Sequence, residues 1–591
     1  MHRSAFRLLL LLCCFLPACD FGRTANPTPA ATATLPPAAA NPTAAAATAA
    51  IPAPILPTAA ATAVPAATRP YDPALPDWTL LVYMAADNSL ELAALRDLNE
   101  MEAAAGSERV TVVVQVDRAA GETAVDDDWT TARRLRITPD DDPTTVTSPT
   151  LADLGEINMG APAALHDFIA WGVQTFPANR TALVLWDHGA GWQGLAFDDD
   201  DAAAAADHLT LPELTTAVSA SLAQSGLPML DVVAFDACLM SQLDVLQAIQ
   251  PHARFAVASA ELTPGQGWDY QALLTSLAAD PQQDGARLAW ELVNTFANFY
   301  TQVEPDDFVT MTAVDLRQLP PLAHAVEQLA ATLLADPAFA AAAVGDARSG
   351  AEQFARAYGA AAAQVAAVDL GHFAAILAQR SPDPLVQETA VALQTAIDQA
   401  VVAHTAGSGF RHSRGIAAYF PQQQADYAPE YGRVTRLTTW HRFLNSYYDV
   451  GLAGLTPPEV NLVGSLRDVV GVQAPAYLDF ELVGRQIAAV QLVGGRYEAD
   501  GRRRLLEFDT LIPEPTTLPD GSRLTAWRDG LHEDFFVWDT LVTYLYDRTG
   551  SGGFVVMCPT DATATLISAL STLGPLPVAP AYPASLVFDY H

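Results

Sequence analysis

The sequence predicts an α/β fold in which a mostly parallel sheet is flanked by helices. Short apolar runs recur along the first part of the chain, and stretches with helical spacing separate most of them. Such alternation is typical of parallel strands joined by right-handed helical crossovers. The predicted strands lie within WTLLVYMAADNS and VTVVVQVD, at 182–186, 231–238 and 255–261, and within FVTMTAVDL and RGIAAYF.

The N-terminus, residues 1–18, predicts an export signal. It combines Arg3 and Arg7 with an apolar run over 8–16 that is too short to span a bilayer. The following Leu-Pro-Ala-Cys resembles the lipobox of bacterial lipoproteins, which implies that Cys19 is lipidated and anchors the chain to the membrane, facing outward. The alternative is an ordinary secretory signal with an incidental cysteine.

Residues 19–76 predict a tether between this signal and the folded chain. From residue 24 to residue 70 the sequence is almost entirely alanine, proline and threonine with very little charge. Such a composition cannot bury a core, and its prolines favour an extended, semi-rigid chain.

Residues 77–450 predict the α/β domain. A first helix is expected from Leu90 to about Ala105, and an alanine-rich helical insertion from Pro320 to His404. Residues 455–591 change character, with short alternating runs such as AYLDFELVG between turn signals, which predicts a β-rich domain of antiparallel strands. Its cysteine, Cys558, lies at a predicted strand end and is expected to be structural.

Composition limits the possible partners. The chain has 31 basic and 67 acidic residues, a net charge of −36, and its basic side chains, histidine aside, are all arginines. Nucleic-acid surfaces need clustered positive charge, so we expect no nucleic-acid partner, whereas basic substrates would be attracted.

Two strand ends carry the residues of a possible catalytic dyad. His188 follows the strand at 182–186, and Cys238 ends the run DVVAFDAC, 50 residues later. Parallel strands separated by one crossover bring such ends to the same rim of a sheet. A helix is expected to begin at Leu239, and its positive end would favour the thiolate of Cys238. A thiol beside an imidazole suits nucleophilic acyl transfer. The alternative for His188 alone is a polar strand cap.

Four stretches, WTLLVYMAADNSLE, LVLWDHGAGW, DVVAFDACLM and ASAELTPGQGW, resemble in this order the clostripain-like cysteine peptidases. The resemblance implies a caspase- and gingipain-like fold, cleavage of proteins or peptides after arginine or lysine, and His188 and Cys238 as the catalytic dyad. It also implies that Asp236 binds a basic side chain, with Asn88 and Thr263 as further pocket residues. Gly189 is expected to belong to the turn and the oxyanion site.

The chain departs from this family in two ways. Leu262 and Gln266 stand where the family often has acidic residues, so a basic preference is less firmly implied than the dyad, and Asp236 alternatively only forms the turn before the cysteine. No lysine or arginine lies between Gly189 and Ala237, which excludes self-cleavage there after a basic residue.

A cofactor is not required by the chemistry of the dyad. Asp198, Asp199, Asp200 and Asp201 could collect calcium through their oxygen atoms, but four consecutive aspartates have no defined ligand spacing, and a solvated loop is the alternative.

The sequence therefore predicts a surface-anchored cysteine endopeptidase. Two alternatives are a binding or adhesion lipoprotein that has lost catalysis and a peptidase with non-basic specificity.

Overall fold

The structure is a computed structural model that describes residues 70–451, apart from 121–122, 200–205, 305, 307, 356–364 and 422–423. Beyond 451 it describes the backbone of strand segments between 459 and 583. Cys19, Cys558, Asp200 and Asp201 lie outside the described residues, as do the predicted signal and most of the tether.

Nine strands form the central sheet, in the order β13-β10-β9-β8-β5-β1-β2-β3-β4. The five strands from β9 to β2 are parallel to one another, and the strands outside them pair antiparallel, so the predicted mostly parallel α/β sheet is confirmed. The bounds are β1 (Trp78–Ala86), β2 (Val110–Arg118), β3 (Ala132–Arg136), β4 (Thr150–Gly155), β5 (Arg180–Trp186), β8 (Leu230–Asp236), β9 (Ala253–Ala258), β10 (Thr310–Asp315) and β13 (Val401–Ala406).

Two smaller sheets accompany it. One is the hairpin of β6 (Leu195–Asp198) and β7 (Asp207–Leu209), and the other joins β11 (Gln353–Phe354), β12 (Ala367–Asp369) and β14 (Ala417–Tyr419). The run RGIAAYF thus forms a strand, but in the smaller sheet.

Helices cover both faces of the central sheet. Along β1, Leu80, Val82 and Met84 face one apolar core, and the alternate side chains, such as Leu81 and Tyr83, face the other. Helices α1 (Glu91–Ala104), α5 (Tyr270–Ala279) and α6 (Gly285–Asn298) cover the first face. The second face is covered mainly by α2 (Pro162–Thr175), α3 (Leu211–Ser225), α4 (Leu243–Ile249), α7 (Leu319–Ala335), α8 (Pro337–Gly350), α9 (Leu370–Arg380), α10 (Pro384–Ala400), α11 (Tyr431–Val434) and α12 (Thr438–Ser446).

The region from Pro320 to His404 is mainly helical, as predicted, but its end is not. Val401–Ala406 leaves α10 and pairs antiparallel with β10 at the edge of the central sheet. Beyond residue 459 the described strand pairs are antiparallel, for example 459–462 with 480–483 and 490–497 with 503–511, which agrees with the predicted β-rich character. Among the described residues no helix is long and apolar enough to cross a membrane.

Candidate active site

The register of the two central strands places the predicted dyad. Strands β5 and β8 are parallel neighbours, and their pairing ends with Trp186 opposite Asp236. His188 and Cys238 each follow this pair by two residues, and the Asp187 N–H donates to the Asp236 carbonyl at 3.2 Å. Both side chains are therefore carried to the same rim, where both are partly exposed.

The backbone of Gly189, the residue after the histidine, lies against the backbone of Cys238. A Cβ atom added to Gly189 would lie 3.0 Å from the Cys238 nitrogen and would overlap the Cys238 carbonyl oxygen. Only glycine fits this approach without a shift of the backbone. The residue after the histidine thus holds the turn directly against the residue that carries the thiol.

The helix after Cys238 begins later than the sequence predicts. Residues 239–242 form a turn in which Leu239 has φ +64°, and α4 starts at Leu243. The Leu239 N–H donates to the Glu261 carbonyl at 3.2 Å instead of starting a helix. The expectation of a helix from Leu239, with its positive end at the thiol, was wrong.

The thiol and the imidazole are both neutral at rest. Burial raises the pKa of Cys238 to about 12, although the Thr263 N–H, 3.4 Å from Sγ, acts in the opposite direction. Burial lowers the pKa of His188 to about 4. Cys238, the cysteine in the part of the chain that the structure describes, forms no disulfide.

Ser89 and Asp187 support the histidine, and sequence reasoning missed both. Ser89 Oγ lies 3.2 Å from His188 Nε2. Asp187 is buried, accepts from Asn88 Nδ2 at 2.8 Å, and accepts the Phe197 N–H. Burial raises the pKa of Asp187 well above its usual value. The sequence offered one clue to each residue. Ser89 follows Asn88 in the stretch WTLLVYMAADNSLE, and Asp187 directly precedes His188.

Asn88 and Thr263, predicted to line the pocket, lie at the same rim. The Asn88 amide nitrogen contacts the Ala85 and Phe197 carbonyls as well as Asp187, and its oxygen accepts the Leu90 N–H, so the side chain is engaged with protein and 2% exposed. Thr263 is partly exposed, and its Oγ1 donates to the Ala237 carbonyl at 3.4 Å. Their contact with a substrate stays a prediction.

Asp236 lies under the rim, on the face covered by α1 and α5. Its Oδ2 accepts from the Tyr270 hydroxyl at 3.0 Å, and burial raises its pKa to about 7. Only 5% of Asp236 is exposed. The carboxyl group is close to the thiol and half-ionised near neutral pH, which a basic side chain would favour.

The calcium prediction rests partly on residues outside the description. Asp198 is buried in β6 and accepts the Met159 N–H at 2.6 Å, while Asp199 is exposed. Within the described residues no group of three or more histidine, cysteine or carboxylate side chains has an arrangement that could hold a metal ion.

Comparisons with known proteins find relatives of this chain. The model of the Clostripain family matches residues 82–449, more than half of the chain. Clostripain from Hathewaya histolytica is 26% identical over 227 residues, which cover 34% of this chain and 42% of that protein. The chain therefore spans less than half the length of this relative.

Solved structures with a similar fold are also known. A secreted C11 cysteine protease from Bacteroides thetaiotaomicron, bound to an irreversible peptide inhibitor, is 19% identical with a TM-score of 0.47, and an inactive zymogen C11 protease from Parabacteroides distasonis is 17% identical with a TM-score of 0.44. Each similarity covers 63% of this chain and 99% of the other. Because the family model matches more than half of the chain, this chain belongs to the Clostripain family.

Proposed function

We propose that this chain is a cysteine endopeptidase in which Cys238 is the nucleophile and His188 the general acid and base. The observation that carries the proposal is the shared register of β5 and β8, which puts both residues two positions beyond the Trp186–Asp236 pair. The contact of Gly189 with the Cys238 backbone supports it, because it keeps the two turns together.

When substrate is bound, the Cys238 proton passes to the imidazole as the sulfur approaches the substrate carbonyl. The thiolate then attacks the carbonyl carbon of the scissile peptide bond, and backbone N–H groups of the turns at Gly189 and Cys238 stabilise the oxyanion. Imidazolium returns its proton to the departing amine as the C–N bond breaks, leaving a thioester. His188 next takes a proton from water, whose hydroxyl attacks the thioester, and the acid product and the thiol are released.

The Cys238 thiol and the His188 imidazole are both neutral before substrate binds, and this determines the order of the proposed reaction steps. With a thiol pKa of about 12 and an imidazole pKa of about 4, the unliganded site holds almost no ion pair. Proton transfer is then coupled to attack, so the site needs substrate to become charged. This protects an exported thiol from reaction with other electrophiles, since only the thiolate is strongly nucleophilic.

The proposed substrates are proteins or peptides cleaved after arginine, or lysine. Asp236 supplies a carboxylate two residues before the nucleophile, and a guanidinium binds a carboxylate with two hydrogen bonds. The second candidate is a peptidase of non-basic specificity, which the burial of Asp236 and its bond to Tyr270 favour. A binding lipoprotein without catalysis is the remaining alternative.

We also propose that the enzyme is anchored outside the cell through a lipid on Cys19. The Leu-Pro-Ala-Cys sequence and the proline-rich tether after it support this location. Membrane fractionation of a Cys19→Ala variant checks it: the protein should move to the soluble fraction, and unchanged membrane binding would refute the anchor.

One profiling experiment tests the proposed activity. The purified full chain is incubated with a mixed peptide library, and cleavage sites are read by mass spectrometry, beside Cys238→Ala and His188→Ala. We expect cuts after arginine by the wild type, none by Cys238→Ala, and a hundredfold to ten-thousandfold loss, roughly, in His188→Ala. Cleavage retained by Cys238→Ala would refute the mechanism, and cuts after neutral residues would select the second candidate.

A further inference from the structure

Two buried carboxylates lie on either side of Gly267. A Cβ atom at this position would be 3.2 Å from Asp97 Oδ2 and 3.3 Å from Asp236 Oδ2. Gly267 has φ +60° and carries no side chain, so no side chain at position 267 separates the two carboxylates. Asp236 comes from the end of β8, and Asp97 comes from α1. The second carboxylate is therefore supplied by a helix and not by the 261–268 loop.

Asp97 is only partly satisfied by the protein. It is fully buried, and its Oδ2 accepts from the Trp186 indole N–H at 2.7 Å. Its Oδ1 is buried without a hydrogen-bond partner. A buried carboxylate oxygen without a donor is costly, and such an atom next to a second carboxylate is suited to a cation with several N–H donors.

An arginine of the chain already lies beside this oxygen. Arg96 Nε is 3.8 Å from Asp97 Oδ1, too far for a hydrogen bond, and is itself buried without one. The other end of the guanidinium donates to the Gly265 carbonyl at 2.7 Å and to the Gln266 side chain. The side chain is 39% exposed, so it can leave without disrupting the core.

We infer that Asp97 and Asp236 together form a two-carboxylate subsite for the guanidinium of a substrate arginine, with Arg96 as the resident counter-ion that the substrate displaces. This inference rests on the proposed arginine specificity and names the residues that produce it. Arg96 fills the space that the incoming guanidinium needs, and the uncovered Asp97 oxygen then gains the donors that Arg96 fails to supply.

Charge in the subsite agrees with this assignment. Burial and the neighbouring Asp236 raise the pKa of Asp97 well above its usual value, and burial raises that of Asp236 to about 7, so the pair retains a proton near neutral pH. A bound guanidinium favours both ionised groups, and the proton is released. The charged and titratable groups around the pair are Arg96 and Glu100 on α1, Tyr270 on α5, and Tyr300 after α6.

The test measures binding of agmatine, the guanidinium analogue of an arginine side chain, to the full chain carrying Cys238→Ala. Isothermal titration needs no catalysis, and neutral N-butylurea is the ligand control. Asp97→Asn, which keeps an acceptor for Trp186, should weaken agmatine binding by about tenfold or more, because one charge of a buried pair is lost. Arg96→Gln should tighten it severalfold. Asp167→Asn, an exposed carboxylate on the opposite face, should change nothing.

Proton release gives a second readout, independent of the change in affinity. Titrations in two buffers of different ionisation enthalpy at pH 6.5 should show release of protons on agmatine binding, and less release in Asp97→Asn. Binding unaffected by Asp97→Asn, or weakened by Arg96→Gln, would overturn the inference while leaving the peptidase proposal intact. Agmatine binding as described by a protein that cleaves no peptide would refute the peptidase proposal and leave the subsite standing.

Discussion

Ser89 Oγ lies 3.2 Å from His188 Nε2, so a hydroxyl from the turn after β1 fixes the imidazole at the end of β5. The two residues are 99 positions apart and meet because β1 and β5 are parallel neighbours. A hydrogen bond at one ring nitrogen selects the tautomer and leaves the other nitrogen for proton exchange with the thiol. Ser89 is thus a positioning residue for His188.

Ser89→Ala should lower kcat about tenfold with little change in KM, because the ring loses its orientation but the substrate pocket is untouched. The pH profile of kcat/KM should also shift, which a purely structural role would not produce. Ser225→Ala, which removes a hydroxyl bonded within α3, is the control and should behave as wild type. Equal kinetics of Ser89→Ala and wild type would remove Ser89 from the site.

Gly189→Ala should abolish measurable cleavage, since the added methyl group overlaps the Cys238 carbonyl and the two turns must separate. Gly226→Ala is the control. Gly226 has a positive φ, +69°, and open space around it, so alanine there should cost only about 1 kcal/mol of unfolding free energy and no activity. Thermal unfolding and peptide turnover, measured on both variants, check this; a fully active Gly189→Ala would contradict it.

Alkylation of Cys238 by iodoacetamide should be slow at pH 7 and rise steadily from pH 7 to pH 10. The thiolate is the reactive form, and the pKa of about 12 leaves very little of it at neutral pH. Mass spectrometry of the labelled peptide gives the rate at each pH. A rate that is already high and constant at pH 6–7 would mean that a thiolate–imidazolium pair exists before substrate binds.

Asp236 should make the folded protein less stable as pH rises. Its carboxyl group keeps a proton up to pH about 7 when folded but loses it near 3.8 when unfolded, so the folded state binds more protons within this window. The stabilising contribution of Asp236 to the free energy of unfolding is therefore complete below pH 3.8 and is lost as pH rises toward 7. Denaturant unfolding of wild type and Asp236→Asn at pH 4, 5.5 and 7 should show a smaller decrease in the variant; parallel curves would contradict the shift.

The central strands, and the position of His188 and Cys238 at their ends, could be predicted because the signals are local. Strands such as Arg180–Trp186 are apolar throughout, and the chemistry follows directly at their ends. The start of α4 could not be predicted, since the turn at Leu239 is held by carbonyls beyond β9, including that of Glu261. Val401–Ala406 followed a helical pattern and became a strand because β10 offered an open edge.

The support of the site was the least predictable part. Ser89 before α1 and Asp97 in the middle of α1 look like ordinary polar residues, and their partners, His188 and Trp186, are about 90 to 100 positions away in sequence. No periodicity or spacing encodes such a contact, because it depends on which strands become neighbours. The proposed catalytic residues could be picked out from the sequence, whereas the residues that contact or surround them could be identified only in the folded sheet.

The pairing of β5 with β8 has a consequence for the chain before it has folded. His188 and Cys238 reach the same rim only when these two strands lie side by side in one register, and a slip of a single position would turn the neighbouring side chain toward the rim. A newly made chain therefore contains His188 and Cys238 before it contains the proposed active site. If the proposed peptidase activity is correct, cleavage should return during refolding only when the central sheet has formed, so its return would report directly on that step.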